Sequence, residues 1–341
     1  MNKWYLNLSF ALIALLLLCC TKEEELQATG QLTVNVQLAD IASRAQAADD
    51  SRLYEGNGIE DITVMLVNSS GIITFIKTES NLTGAEQQTK TVTVYADNLK
   101  LGQYTLYVFG NTQNTLFAEV RTLLEGLTQD KVFDSQKRDA LFTALDGTNT
   151  PKIDAVHPLL LTASKTVQIN IKNNITSIEL IRPIVKFEVQ LYNHSDKNIT
   201  VTELGFSKFN PSTGYLLPHD GDIPSTAVYR DLPAYDTSNP KSVTAAQKET
   251  VYETALFENR ATEEGYLLNM TLHIDPDKTA ELSNKQLMIV NSETSDIEPM
   301  TEQLRNQHVL VTVNAYYNTE KGQFEFEVEG WKNKEENVEF D

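Results

Sequence analysis

From Gln31 onward the chain alternates. Leu32, Val34, Val36 and Leu38 fall on one side, and Thr33, Asn35 and Gln37 on the other. Successive side chains of a strand project to opposite faces, so this period of two describes a strand with one buried face. The same period returns near the end, where Val309, Val311, Val313 and Ala315 alternate with other residues. After Gly322, Phe324, Phe326 and Val328 then alternate with Glu325, Glu327 and Glu329, and the two runs read as a hairpin. A short terminal piece, Asn337-Val338-Glu339-Phe340, repeats the pattern. A chain patterned this way at both ends is expected to be all-β.

The middle supports that class. Strands are expected at 59–67, 72–78, 89–95 and 103–110, then at 156–161 and 166–171, separated by clusters of Asn, Gly and Ser that mark turns. Helical spacing of Leu116, Val120, Leu123, Leu124 and Leu127 predicts a helix over 115–127, with a second short one around 135–145. Asn173-Asn174 marks a bend, and the expected domain boundary lies near Ile175. A second β-rich run opens at 178–192, where Pro183 argues for an edge strand or a start just after a bulge. Strands are expected at 199–209, 250–256 and 265–274, with a long loop over 210–247 whose length suggests a role. The stretch from Ala39 to Gly58, small, polar and aperiodic, reads as an exposed loop carrying Arg44.

Composition limits what such a fold can do. The formal net charge is -19, which repels nucleic acid and anionic membranes. Both cysteines, Cys19 and Cys20, lie near the N terminus, so the body lacks a disulfide, a thiol nucleophile and a cysteine metal ligand. Stability therefore rests on the hydrophobic core, and 41% hydrophobic residues supply material for two domains of ordinary size, with one large sandwich as the alternative. The expected organisation is a leader over 1–19, an acidic tether over 20–30, one β-sandwich over 31–175 and another over 176–341.

The leader follows from Lys3 and the apolar stretch Leu8 to Leu18. At about a dozen residues it is too short for the roughly 20 that cross a bilayer as helix, so it reads as a signal peptide. Leu17-Leu18-Cys19-Cys20 resembles a bacterial lipobox, with Cys20 as the acylated residue and Cys19 as the small residue before it. The following Thr21-Lys22-Glu23-Glu24-Glu25 resembles the surface-export signal of Bacteroidetes lipoproteins. Together these imply a palmitate-bearing, surface-exposed lipoprotein of the cell outer membrane.

Chemistry is hard to find in the sequence. His157, His194, His219, His273 and His308 stand singly, without the spacing of a zinc site. His219-Asp220-Gly221-Asp222 and His273-Ile274-Asp275-Pro276-Asp277 place carboxylates two apart, but neither has the loop of a calcium-binding EF-hand, and both read as polar turns. No nucleophile elbow, phosphate-binding loop or dinucleotide fingerprint occurs. Only paired carboxylates, which folding rather than spacing brings together, keep a hydrolase open. No cofactor and no metal is expected, and the chain reads as a non-enzyme.

In its order of parts the chain resembles the fimbrillin family, the type V pilus subunits of the Bacteroidales. The resemblance is carried by the lipobox at Cys20, by Gln31 to Leu38 followed by a loop with Arg44, and by Leu101-Gly102-Gln103-Tyr104-Thr105-Leu106-Tyr107-Val108. The Arg182 to Asn193 strand and the ending from Arg305-Asn306 to Trp331 complete it. It implies two transthyretin-like β-sandwich domains in tandem, with one or two short helices in the first. It also implies processing by an arginine-specific protease between Arg44 and Ala45, with Arg52 as the second choice.

Cleavage there would disconnect the strand bearing Leu32, Val34, Val36 and Leu38, opening an apolar groove between unpaired backbone groups, and such an edge invites a foreign strand. The expected donor is a neighbour's C-terminal strand. The candidates here are Phe324 to Val328 and the segment with Val338 and Phe340, of which the second is favoured because the first is placed to finish its own domain. The expected function is thus a stalk or tip pilin that assembles by protease-triggered donor-strand exchange and supports adhesion. Its partners would be other pilin subunits, the protease, outer-membrane lipid through Cys20 before processing, and host or bacterial surface ligands. The competing expectation is a surface-exposed lipoprotein that binds glycan or another ligand and does not polymerise, for which Tyr215, Tyr229, Tyr235 and Tyr252 could stack on sugars.

Overall fold

In the computed structural model, residues 28–38, 42–43, 59–82, 91–112, 118–143, 160–217, 229–233, 235–260, 265–274, 278–290, 296–303, 305–318, 323–328 and 331–332 are described. The first half of the chain forms β1 (Thr29–Leu38), β2 (Ala42–Ser43), β3 (Asp61–Asn68), β4 (Ile73–Ser80), β5 (Thr91–Lys100) and β6 (Gly102–Gly110). Helices α1 (Ala118–Glu125) and α2 (Ser135–Arg138) follow, then β7 (Leu141–Thr143), β8 (Leu161–Ile169) and β9 (Asn173–Leu180). These strands make a sandwich of a three-stranded sheet, β5-β1-β9, over a four-stranded one, β4-β3-β6-β8.

Alternation decides which residues meet between the sheets. Leu32, Val34 and Val36 from β1 share a core with Ile62, Val64 and Leu66 from β3 and with Leu106 and Val108 from β6. The intervening residues of β3 and β6 are apolar as well, and Met65, Val67, Tyr107 and Phe109 are buried on the opposite face. Strands that are apolar on both faces need cover on both. That cover comes from Val120 and Leu124 of α1 and from Leu216, Leu217 and Phe257 of the second domain.

The second half forms β10 (Ile184–Asn193), β11 (Ile199–Pro211), β12 (Thr213–Tyr215), β13 (Tyr229–Pro233), β14 (Lys241–Val243), β15 (Lys248–Phe257) and β16 (Asn259–Arg260). It continues with β17 (Leu267–His273), β18 (Thr279–Gln286), β19 (Met288–Val290), β20 (Ile297–Pro299) and β21 (Glu302–Gln303). The last strands are β22 (Gln307–Asn318), β23 (Gln323–Val328) and β24 (Trp331–Lys332). One sheet runs β15-β10-β22, with β2 and β23 both paired to β22. The other runs β13-β11-β17-β18, with β14 added to β11. Val185, Phe187, Val189 and Leu191 face Leu204 and Phe206 in the core between them, where Phe187 and Phe206 meet edge to face at 4.9 Å.

Several expectations change. A boundary near Ile175 would cut through β9, which pairs in parallel with β1 from Asn173 to Leu180 and buries Ile178 and Leu180 in the first core. The second core begins only at Val185. Pro183 does not mark an edge: β10 is flanked by β15 and β22, and the proline stands just before its first residue, where the missing N–H costs no ladder bond. The long loop over 210–247 contains β12, β13 and β14, three strands too short and polar to show a period. The helix expected over 115–127 is described as Ala118–Glu125. The second is a single turn that Asp134 caps by accepting from the Lys137 amide, after which the chain extends into β7. The strand expected at 156–161 lies mostly outside the described residues, and the one expected at 166–171 is the end of the longer β8, which stops at Ile169.

The two domains are joined by more than a linker. β7 of the first pairs with β12 of the second, Thr143 opposite Thr213 and Leu141 opposite Tyr215. Beside this seam Arg305 forms a buried ion pair with Glu258, its Nε 2.9 Å from Oε1, and its Nη2 donates to the Tyr215 carbonyl at 3.3 Å. Arg182, also buried, donates through Nη1 to Asn306 Oδ1 at 3.1 Å.

Candidate functional site

The strand singled out by its alternation holds an unusual position. β1 is the middle strand of its sheet, antiparallel to β5 and parallel to β9, and it is paired along both edges. Leu32, Val34, Val36 and Leu38 are all buried, so its inner face completes the core while Thr33, Asn35 and Gln37 face outward. At about 4.8 Å between neighbouring strands, withdrawing β1 would leave a slot about 10 Å across, the width of one strand. Because β5 and β9 run in opposite directions, a replacement of either polarity would be antiparallel to one wall and parallel to the other.

The entrance to this position is built from residues that the sequence pattern did not single out for it. A β-bulge falls between Gly30 and Leu32, and a Cβ at Gly30 would lie 2.4 Å from the Asn170 carbonyl oxygen. Only glycine fits there. The Asn174 side-chain amide lies within hydrogen-bonding distance of the carbonyls of Gln31 (2.9 Å), Asn170 (3.0 Å) and Lys172 (2.6 Å), tying the start of β1 to the β8–β9 turn. The pair Asn173-Asn174 signals a bend in the sequence, but only the fold shows that the bend clamps a strand far away in the chain.

At its other end β1 leads toward the second domain. Ala42 and Ser43 pair in parallel with Gln307 and His308 of β22. Part of the expected exposed loop is therefore stitched to the second domain immediately before Arg44. Arg44, Ala45 and Arg52 lie outside the described residues, as do Cys20, Val338 and Phe340. The described part of the hairpin is as expected, β22 and β23 pairing antiparallel from Val313/Val328 to Asn318/Gln323.

The other candidates separate into structural parts. Tyr235 donates to the Val201 carbonyl at 2.8 Å and accepts from the Lys241 amide, so it fastens a loop. Tyr252 packs against the second core, and burial pushes its hydroxyl pKa well up. Tyr215 sits on the seam strand β12, and the Tyr229 side chain is outside the described residues. Tyr215, Tyr235 and Tyr252 thus serve separate parts of the fold. An aromatic stack forms elsewhere: His194 lies between Tyr192 (ring centroids 3.7 Å apart) and Tyr316 (4.4 Å, rings nearly parallel), with Nε2 3.0 Å from Asn314 Oδ1. Among the described residues no group of His, Cys, Asp or Glu is placed to hold a metal, and no helix is long and apolar enough to cross a membrane.

Comparison with known proteins bears on the fold and on the first domain. Residues 30–182 match the family model described as major fimbrial subunit protein (FimA), which spans the first domain from Gly30 to Arg182. The fold resembles the tip fimbrial protein Mfa3 of Porphyromonas gingivalis, C-terminally truncated, with a TM-score of 0.53 at 12% identity over 88% of this chain and 99% of that one. It also resembles a fimbrilin (FimA) of Porphyromonas gingivalis W83, with a TM-score of 0.52 at 11% identity over 89% of this chain and 98% of that one. No curated protein matches the chain. The fimbrillin resemblance read from the sequence therefore holds in the family match of the first domain and in the two-sandwich fold of both.

Proposed function

We propose that this chain, with a first domain of the fimbrial subunit family and the fold of fimbrial proteins throughout, is a structural subunit of a cell-surface fimbria. In this reading it is assembled by exchanging β1 for an extended segment of a neighbouring subunit. The observation that carries the reading is the place of β1, the first described strand and the middle one of its sheet, joined to the rest through a segment that holds Arg44. Removal of an edge strand would shorten the sheet, whereas removal of β1 opens a slot with two hydrogen-bonding walls and an apolar floor.

The sequence of events begins with delivery. Cys20 carries the lipid that brings the precursor to the outer membrane surface, and an arginine-specific protease cuts between Arg44 and Ala45. The lipid, β1 and β2 then leave together. Burying four side chains like Leu32, Val34, Val36 and Leu38 contributes about 1.5 to 3 kcal/mol each before ordering costs, as an upper estimate, enough to hold a noncovalent polymer. β23 is paired along β22 within its own sheet, which leaves the terminal segment with Val338 and Phe340 as the favoured donor. The chain acts as a building block, and its partners are other pilin subunits and the surfaces that the fimbria adheres to.

The test is to treat the lipid-free protein with an arginine-specific protease while following the N-terminal sequence and the size. A new N terminus at Ala45 with conversion to polymer is expected. Resistance at Arg44, or a cut product that stays monomeric at high concentration, would overturn the reading. The second reading, a glycan-binding surface lipoprotein that does not polymerise, draws on the stack of half-buried Tyr192 with exposed His194 and Tyr316. It requires the protein to stay monomeric after protease treatment and Tyr316→Ala to abolish glycan retention.

A further inference from the structure

Exposed large apolar side chains are unevenly distributed over the described surface. Tyr95 is 61% exposed, Leu101 40%, Ile171 72% and Ile175 72%. All four stand around one end or along the first half of β1. Leu101 occupies the β5–β6 turn next to Lys100, which is the partner of Thr29, and Ile171 occupies the β8–β9 turn, whose Asn170 carbonyl abuts Gly30. Tyr95 and Ile175 are both register partners of Thr33, so they flank β1 in one row on the outer face of the sheet. Among the described residues nothing comparable surrounds the Leu38 end, where the outward-facing partners of Gln37 are Thr91 and Glu179.

The polarity of the fold says which end this is. β9 runs from this end to Leu180 and passes on into the second domain, and β1 runs the same way toward β2 on β22. The apolar collar is thus at the end of β1 away from the second domain, about 30 Å of strand distant. An exposed apolar cluster on a soluble surface marks a contact site, and its position at the mouth of the slot indicates what would make the contact.

We infer that the Thr29 end of the first domain is where a second fimbrial subunit docks, its body packed on the collar of Tyr95, Leu101, Ile171 and Ile175. Its donor strand enters there and runs in the direction of β1. The inference rests on the strand-exchange reading above. A donor at the C terminus has its own body on the N-terminal side. A donor running as β1 runs therefore leaves that body at the Thr29 end, against the collar, whereas the reverse polarity would leave it at the domain junction. The segment that would cross this rim, Lys332 to Glu336, carries two lysines and two glutamates, so the collar contact is apolar rather than electrostatic. The second subunit's body would occupy the side from which the tether to Cys20 enters.

The experiment uses the lipid-free chain with Ile171→Glu and Ile175→Glu, both well exposed and tolerable to folding, and Ile297→Glu on the second domain as a control of similar exposure. Each is cut with the arginine-specific protease, given a synthetic peptide of residues 322–341, and separately allowed to polymerise. The two collar variants are expected to be cut and to take up the peptide as the parent does, yet to assemble about tenfold more slowly, as for loss of a central apolar contact, while Ile297→Glu assembles normally. Assembly of the collar variants at the parental rate overturns the docking surface and leaves strand exchange standing. Failure of the cut parent to take up the peptide overturns both. Polarity is read separately with spin labels on Lys172→Cys or Glu179→Cys and on the N terminus of the peptide, in a body free of other cysteines. The peptide label is expected closer to residue 172, by up to about 20 Å, and the opposite order overturns the assigned direction.

Discussion

The two sheets of the first domain share one core yet are secured in different ways. The four-stranded sheet is covered on both faces: Ile62, Val64 and Leu66 point into the sandwich, and Met65, Val67, Tyr107 and Phe109 point into a second apolar layer closed by α1 and the second domain. The three-stranded sheet is covered on one face only and presents Thr33, Asn35 and Gln37 to solvent. Removing a strand from the first would dismantle the domain junction as well as the sandwich, whereas removing β1 from the second affects one core and one clamp at Asn174. On the proposed reading, permanence and exchangeability are divided between two sheets of the same sandwich by the number of faces each buries.

The largest expected effect lies in the doubly covered sheet. Phe109→Ala should cost about 3–5 kcal/mol in urea unfolding, and it should cost the same in the precursor and in the assembled subunit because its surroundings do not change. Arg305→Ala tests the seam beside that layer. Stranding Glu258 without its partner should cost about 3 kcal/mol, and Arg305→Met combined with Glu258→Leu should recover most of the loss. Val34→Ala should cost about 1.5–3 kcal/mol in the precursor. After cleavage and exchange that penalty should vanish, since the side chain has left the subunit. A persistent penalty in the polymer would show that β1 stays, and would erase the distinction between the sheets.

Smaller effects refine the contrast. Gly30→Val should destabilise the precursor by about 1–3 kcal/mol, because the new atoms meet the Asn170 carbonyl, and calorimetry would report it. Finally, burial pushes up the hydroxyl pKa of Tyr104 and Tyr107 in the four-stranded sheet and of Tyr252 in the second domain. A group that holds its proton longer when folded contributes stability that is lost as pH rises past the unfolded value, so unfolding should become easier above about pH 10. A spectrophotometric titration of the tyrosines, compared between the parent and Tyr252→Phe, checks it.

Much of this was legible residue by residue. The alternation at 32–38 marked β1 and its buried face, and the same alternation at 309–328 marked the closing hairpin, because a strand with one buried face leaves a period of two in its own sequence. The near-continuous apolar run from Ile62 to Val67 already carried the sign of a strand buried on both faces. By contrast, β18, with the sequence TAELSNKQ, was missed. An edge strand whose side chains are mostly exposed has no reason to alternate. The boundary placed near Ile175 failed for a related reason: Ile175 is outward-facing and Ile178 and Leu180 inward-facing, a pattern that says strand but not whose strand.

By itself, then, the amino-acid order determined the class of fold, the inner faces of its principal strands and the absence of cysteine chemistry from the body. Those depend on short-range periodicity and composition. Only the tertiary structure decided that β1 lies between β5 and β9, that Gly30 and Asn174 guard its entrance, and that four scattered apolar residues gather at one end of it. Each of these joins residues far apart in the chain, and pairing between distant strands is selected by the packing of the whole core, which no local pattern records.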